Sequence, residues 1–183
     1  MQPLLRIWPL LLLTGCAQMP SLLQDASAPI NENSPGVSIT QSKPPRLAAL
    51  TFYAKTPYSQ DQAMQCAEQL MQPQSSDEPV IRYAGRDMLN ASGIISNNTR
   101  LYGVLPVQDY IRYELTLLEK VSGTTYHFRR IELSRFDPMG INSQHYAALP
   151  PSGSKTELVH QQLEALFKEM DACIAGSNKS PLS

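Results

Sequence analysis

What is scarce in the 183-residue sequence excludes more than what is plentiful. Fifteen Lys and Arg stand against sixteen Asp and Glu, a formal net charge of -1. The clustered basic surplus of a phosphate-backbone binder is missing, so nucleic acid is not an expected partner. The chain holds no apolar run of the ~18 residues that a permanent membrane helix requires. Only three histidines occur, His127, His145 and His160, none with a His or Cys partner at metal-ligand spacing, so no metal and no cofactor are expected. Neither a Gly-rich phosphate loop nor a Gly-x-Ser-x-Gly elbow is present, and no catalytic residue stands out. The three cysteines, Cys16, Cys66 and Cys173, form no Cys-x-x-Cys pair that would suggest redox catalysis.

The most informative stretch is the start, MQPLLRIWPLLLLTGC. One cation, Arg6, precedes an apolar segment from Ile7 to Leu13, and small residues follow before Cys16. That is the layout of a signal peptide over residues 1–15. Its apolar part makes roughly 10 to 15 Å of helix, about half of a bilayer core. Leu13, Thr14, Gly15 and Cys16 resemble the lipobox of bacterial lipoproteins at all four positions. The resemblance implies cleavage after Gly15, a diacylglyceryl group on the Cys16 thiol and acylation (palmitate) of the new amino terminus. Several acyl chains at about 0.8 kcal/mol per buried methylene give lasting membrane attachment. Ala17 after the cysteine, where such families carry Asp for inner-membrane retention, implies the periplasmic face of the outer membrane, with the inner membrane as the alternative.

From Ala17 to Pro45 the composition turns to Gln, Ser, Asn and Pro. Such a stretch buries too little apolar surface to offset its ordering entropy, and a flexible tether over residues 16–45 is expected. Folded structure is expected over 46–176 as a single domain, with a disordered tail at 177–183.

Within that domain, LAALTFYA (47–54) alternates as a strand. Ser59 with Gln62 forms a capping-box pattern before a helix to about Met71 that places Ala63, Cys66, Ala67 and Leu70 on one face. Val80 to Ala84 reads as a second strand, followed by a polar loop running past Asn97 and Asn98. YIRYELTLLEKV (110–121) is the clearest strand, with Ile111, Tyr113, Leu115 and Leu117 inward. Ser122-Gly123 signals a hairpin. The return strand carries Tyr126 and Phe128 on one parity and Ile131 and Leu133 on the other, which predicts a β-bulge near Arg129-Arg130. Asp137 to Gly153 reads as a loop; Ser154 and Glu157 suggest a second capping box before a helix from Lys155 to about Ala175. The order strand-helix-strand-strand-strand-helix predicts an α+β two-layer sandwich, with a mainly antiparallel sheet of about four strands and two helices on one face. Behind a lipobox and a tether, this layout resembles the small outer-membrane lipopolysaccharide-assembly lipoproteins and related envelope accessory lipoproteins.

If Cys16 is acylated, Cys66 and Cys173 remain, one on each helix of a protein in an oxidising compartment. They read as a disulfide, with two separately buried thiols as the alternative. The surface readings also stay open. Arg112, Arg129, Arg130 and Arg135 could form a basic sheet surface or pair across strands with Glu114, Glu119 and Glu132. Tyr110, Arg112, Tyr126, Phe128 and Arg129 are the candidate partner-binding residues if the register of the return strand is unbroken; a bulge would instead send the aromatic pair inward. Functionally, the expectation is a non-enzymatic accessory or scaffold lipoprotein that binds another envelope protein. A periplasmic enzyme or small-ligand carrier acting on cell wall or envelope lipid is the alternative.

Overall fold

The computed structural model describes residues 30–101, 104–140 and 144–176, apart from the side chains of Thr99 and Leu101. The expected signal peptide, Cys16, the tether as far as residue 29, and the tail at 177–183 lie outside the described residues. The chain runs β1 (Val37–Ile39), β2 (Leu47–Ala54), α1 (Gln60–Leu70), β3 (Ile81–Ala84), β4 (Met88–Leu101), β5 (Leu105–Lys120), β6 (Gly123–Phe136), β7 (Ala147–Ala148) and α2 (Ser154–Ile174). The architecture is α+β with an antiparallel sheet, and it holds seven strands where four were expected. In space the strands follow β1-β2-β6-β5-β4-β3, and the short β7 joins the distal half of β6.

Each additional strand has a physical reason. β4 replaces the expected polar loop. It pairs with β5 along its whole length, from Met88↔Leu118 to Leu101↔Leu105, so Asn90, Ser92, Ser96 and Asn98 share the face away from the helices, while Asn97 falls on the other parity, opposite Asp109. On its inward side lie Leu89, Ala91 and Gly93, and the Tyr113 ring passes over Gly93, where a Cβ would stand 2.7 Å from the Tyr113 hydroxyl. Folded structure also begins earlier than Arg46. Val37–Ile39 pairs with β2, and Thr51 N–H donates to the Gly36 carbonyl at 2.8 Å. β1 was concealed because its three residues, Val37, Ser38 and Ile39, are too few to show a period and stand among polar and Pro residues, although Val37 packs against the core. β7 forms where the long loop after β6 returns against Glu132 and Leu133.

Both helices pack into one core with the same side of the sheet. Ala63, Cys66 and Ala67 from α1 and Val159, Leu163, Leu166 and Met170 from α2 meet Leu50, Leu115, Leu117, Tyr126 and Phe128. Phe52 stacks on Phe167 at 5.0 Å, and the Tyr126 hydroxyl donates to Asp171 at 3.1 Å. Cys66 and Cys173 form a disulfide with Cα atoms 6.0 Å apart, joining the helices. Neither capping box closes. Ser59 makes no side-chain cap bond, and Ser154 already lies inside α2 behind Gly153, whose carbonyl accepts from Glu157 N–H at 2.9 Å.

The bulge is present. Arg112↔Glu132 and Glu114↔Arg129 are consecutive pairs, so β6 spends one residue more than β5 between them, and Arg130 has φ 49°. Phe128 and Ile131 therefore share the helix side. The hairpin turn falls one residue earlier than expected, at Val121-Ser122, with Lys120 paired to Gly123. Gly123 (φ 153°) is required there, since a Cβ would sit 2.0 Å from the Ala54 carbonyl oxygen.

Candidate functional site

The sheet face away from the helices collects the chemistry. Strand alternation sends Gln108, Tyr110, Arg112, Glu114 and Thr116 of β5 to that face, while Ile111, Tyr113, Leu115 and Leu117 turn to the core. β6 contributes His127, Arg129, Glu132 and Ser134, and β4 contributes Ser92, Ile94 and Ser96, each opposite a residue of matching orientation.

Five charged side chains lie together at the bulge. Arg112 Nε donates to Glu132 at 2.5 Å, and Glu114 accepts from Arg129 at 3.0 Å and from Arg130 at 2.7 Å. Three guanidinium groups against two carboxylates leave one net positive charge. The cross-strand reading of these charges holds for Glu114 and Glu132; Glu119 instead lies opposite Thr124, and Arg135 is absent from the cluster. Beyond the bulge Arg135 pairs in register with Asp109 on the helix side, where two bonds of 2.6 and 2.7 Å join a fully buried carboxylate to a guanidinium only 10% exposed.

Two depressions flank Arg112. One, of about 610 Å³, is lined by Thr40, Leu47, Gln74, Arg112, Glu114, Arg130 and Glu132. Gln74 enters it from the segment after α1 and donates to the Tyr113 carbonyl at 3.0 Å, one of the backbone acceptors beside the bulge. The other, of about 420 Å³, is lined by Ile94, Gln108, Tyr110, Ser134, Phe136, Gln144 and Tyr146. Its wall is the returning loop, pinned by Ser134 Oγ donating to the Gln144 carbonyl at 2.8 Å. Tyr146 lies under the Arg112 guanidinium, 4.3 Å from ring centre to Cζ. Burial raises the Tyr146 phenol's pKa, and Arg112 opposes that rise.

Of the candidate partner-binding residues, Tyr110, Arg112 and Arg129 lie on this open face. Tyr126 and Phe128 do not. Both are fully buried among α2, Phe52 and Tyr113, because the bulge carries the parity change that would otherwise have exposed either this aromatic pair or Ile131 and Leu133. Phe136, Gln74 and Tyr146 were missed. Phe136 is legible as the end of β6, but Gln74 and Tyr146 come from segments without periodicity and reach the face only through the chain's return path.

The carboxylates of the cluster are engaged by guanidinium groups, and His127, an imidazole on the same face, shares a hydrogen bond through Nδ1 with the Thr51 hydroxyl at 3.0 Å. Among the described residues no three His, Cys, Asp or Glu side chains converge on a common point suited to a metal ion.

No protein-family model matches the chain, and no curated protein matches it. Among solved structures, a DUF4468 family protein from Bacteroides ovatus ATCC 8483 is similar at 10% identity, with a TM-score of 0.43 over 78% of this chain and 94% of that one. A likeness at that level carries no argument about this chain.

Proposed function

We propose that the protein is an envelope lipoprotein, anchored through Cys16 at the periplasmic side of the outer membrane, that serves as a non-enzymatic accessory subunit by holding another envelope protein on its open sheet face. The observation carrying this reading is the division of the sheet. Two helices cover one side, while the other presents Tyr110, Phe136 and Tyr146 around an Arg112 whose charge is already balanced by Glu132. Aromatic and arginine side chains held in place before contact are the composition of interface centres, because little side-chain entropy is lost on docking. The LTGC tetrad at 13–16 supports the anchor. The chain between Cys16 and Ile30 could extend at most about 50 Å, enough for the domain to meet a partner beyond the lipid surface.

Two substitutions test the two halves. Cys16→Ser should abolish incorporation of labelled palmitate and leave the detergent phase; unchanged partitioning overturns the anchor. Tyr110→Asp should leave thermal unfolding nearly unchanged while removing the partner retained by the wild-type chain in solubilised envelopes. Full retention shows that the contact surface lies elsewhere.

A further inference from the structure

Most of the sheet's margins are blunted. β1 spans three residues and β3 four, and each has a register irregularity against its neighbour. Short, irregular edges resist the addition of another strand. The distal half of β4 is different. β3 pairs with β4 only as far as Ala91, and a single bridge from Gln72 covers Ile94; from Ile95 to Leu101 no strand among the described residues lies outside it.

The direction of its backbone groups follows from two bonds. Ser92 N–H donates outward to Val80 at 2.8 Å and Ile94 N–H outward to Gln72 at 3.0 Å. Alternation along an antiparallel strand then turns the N–H and C=O of Ser96, Asn98 and Arg100 outward too. None of these has a protein partner among the described residues, and the three side chains are exposed. Between α2 and the start of this stretch runs a groove of about 200 Å³, lined by Ile95 and Ser96 on one side and Gln162, Leu166 and Glu169 on the other.

We propose that this edge pairs with the same edge of a second copy, antiparallel about a two-fold axis at Asn98, so that two sheets become one. Three features favour a copy of this chain as the occupant. Asn98 is the midpoint of the free stretch Ile95–Leu101, so the paired segment ends before either copy's Gln72 bridge. Asn98 is also one of the outward-facing residues, so a two-fold axis there opposes donor to acceptor throughout: Asn98 faces Asn98, and Ser96 faces Arg100, with each copy's three outward N–H groups matched by three carbonyls. Arg100 is the one charged side chain in the stretch and meets a serine, so no like charges oppose each other across the axis. The pairing leaves the aromatic and arginine surface around Arg112 free on both copies and does not depend on its role.

The test is site-directed cross-linking of the full-length chain in isolated membranes. A hydrogen-bonded antiparallel pair holds its Cα atoms about 5.5 Å apart, inside the range of a disulfide. Asn98→Cys should therefore run mainly as a covalent dimer on a non-reducing gel after mild oxidation, while Tyr83→Cys on the β3 edge stays monomeric. An Asn98→Cys chain that remains monomeric with a titratable thiol overturns the proposal, as does equal cross-linking at both positions. Asn98→Pro deletes the central outward amide without touching the ladder to β5, and it should convert the detergent-solubilised chain from dimer to monomer in sedimentation with its helical circular dichroism retained. A dimer that persists in that variant also overturns the proposal. Should Asn98→Pro lose its circular dichroism, Ser96→Lys, which sets two like charges beside Arg100, supplies the same readout.

Discussion

The ion pair between Asp109 and Arg135 offers the sharpest check on the packing. Asp109 is fully buried between Val107 and Ile111 on the helix side of β5, and its carboxylate is held by two guanidinium bonds of 2.6 and 2.7 Å. Those bonds raise the Arg135 pKa above its ordinary value, against the opposing effect of burial. Arg135→Met removes the cation and leaves a carboxylate without its partner in a low-dielectric site. Breaking one side of a buried pair costs about 3 to 5 kcal/mol. At about 2 to 4 °C per kcal/mol for a domain of this size, the melting temperature should fall by roughly 6 to 20 °C. Removing both charges is a different perturbation. Asp109→Leu combined with Arg135→Met no longer strands a charge, and it should recover most of that loss, since an apolar replacement of similar volume is often neutral or stabilising. Urea unfolding of the four proteins, with the Cys66–Cys173 bond intact, closes a double-mutant cycle. A cost below about 1 kcal/mol for Arg135→Met, the level typical of exposed pairs, would refute the reasoning by showing that water reaches Asp109.

Other outcomes follow from the same structure. Peptide mapping of the unreduced protein should recover Cys66 and Cys173 in one joined species, and reduction should lower stability by up to about 4.7 kcal/mol for a separation of 107 residues. Phe128→Ala should cost about 3 to 5 kcal/mol in chemical unfolding, as a large ring removed from the core does; a cost near zero would return Phe128 to the surface. His127 and His160 titrate below the usual histidine value of 6.5, chiefly because burial disfavours the imidazolium, helped by Arg129 at His127 and by Lys168, against Glu164, at His160. The unfolded chain therefore takes up these protons first, so stability present at pH 7.5 should decline as the pH falls through about 6.5 and level off only below the folded-state values. The urea midpoint should track that decline, and His127→Gln with His160→Gln should flatten it; a midpoint rising between pH 7.5 and 5.5 would contradict the assignment.

What the sequence determined by itself was whatever local chemistry encodes. The alternation in 110–121 defined β5, the 3.6-residue spacing from Leu158 to Met170 defined α2, and the parity break between Phe128 and Ile131 announced the bulge, because a strand with one buried face cannot change parity without an extra residue. Two leftover cysteines on helices sharing a sheet pointed to the bond now seen. The tertiary structure decided what depends on neighbours. β4 is a strand because β5 offers it a complete ladder, which its Asn and Ser content concealed, and β1 and β7 exist only as additions to β2 and β6. Arg112 and Arg135 were read together as one basic surface, yet Arg112 lies on the open face beside Tyr146 while the bulge in β6 turns Arg135 to a buried carboxylate. Gln74 and Tyr146 carry no periodic signal and join the face through the path of loops. Which aromatic residues are core and which are surface was settled by one additional backbone residue in β6, because each residue inserted into a strand turns all that follow through half a pleat.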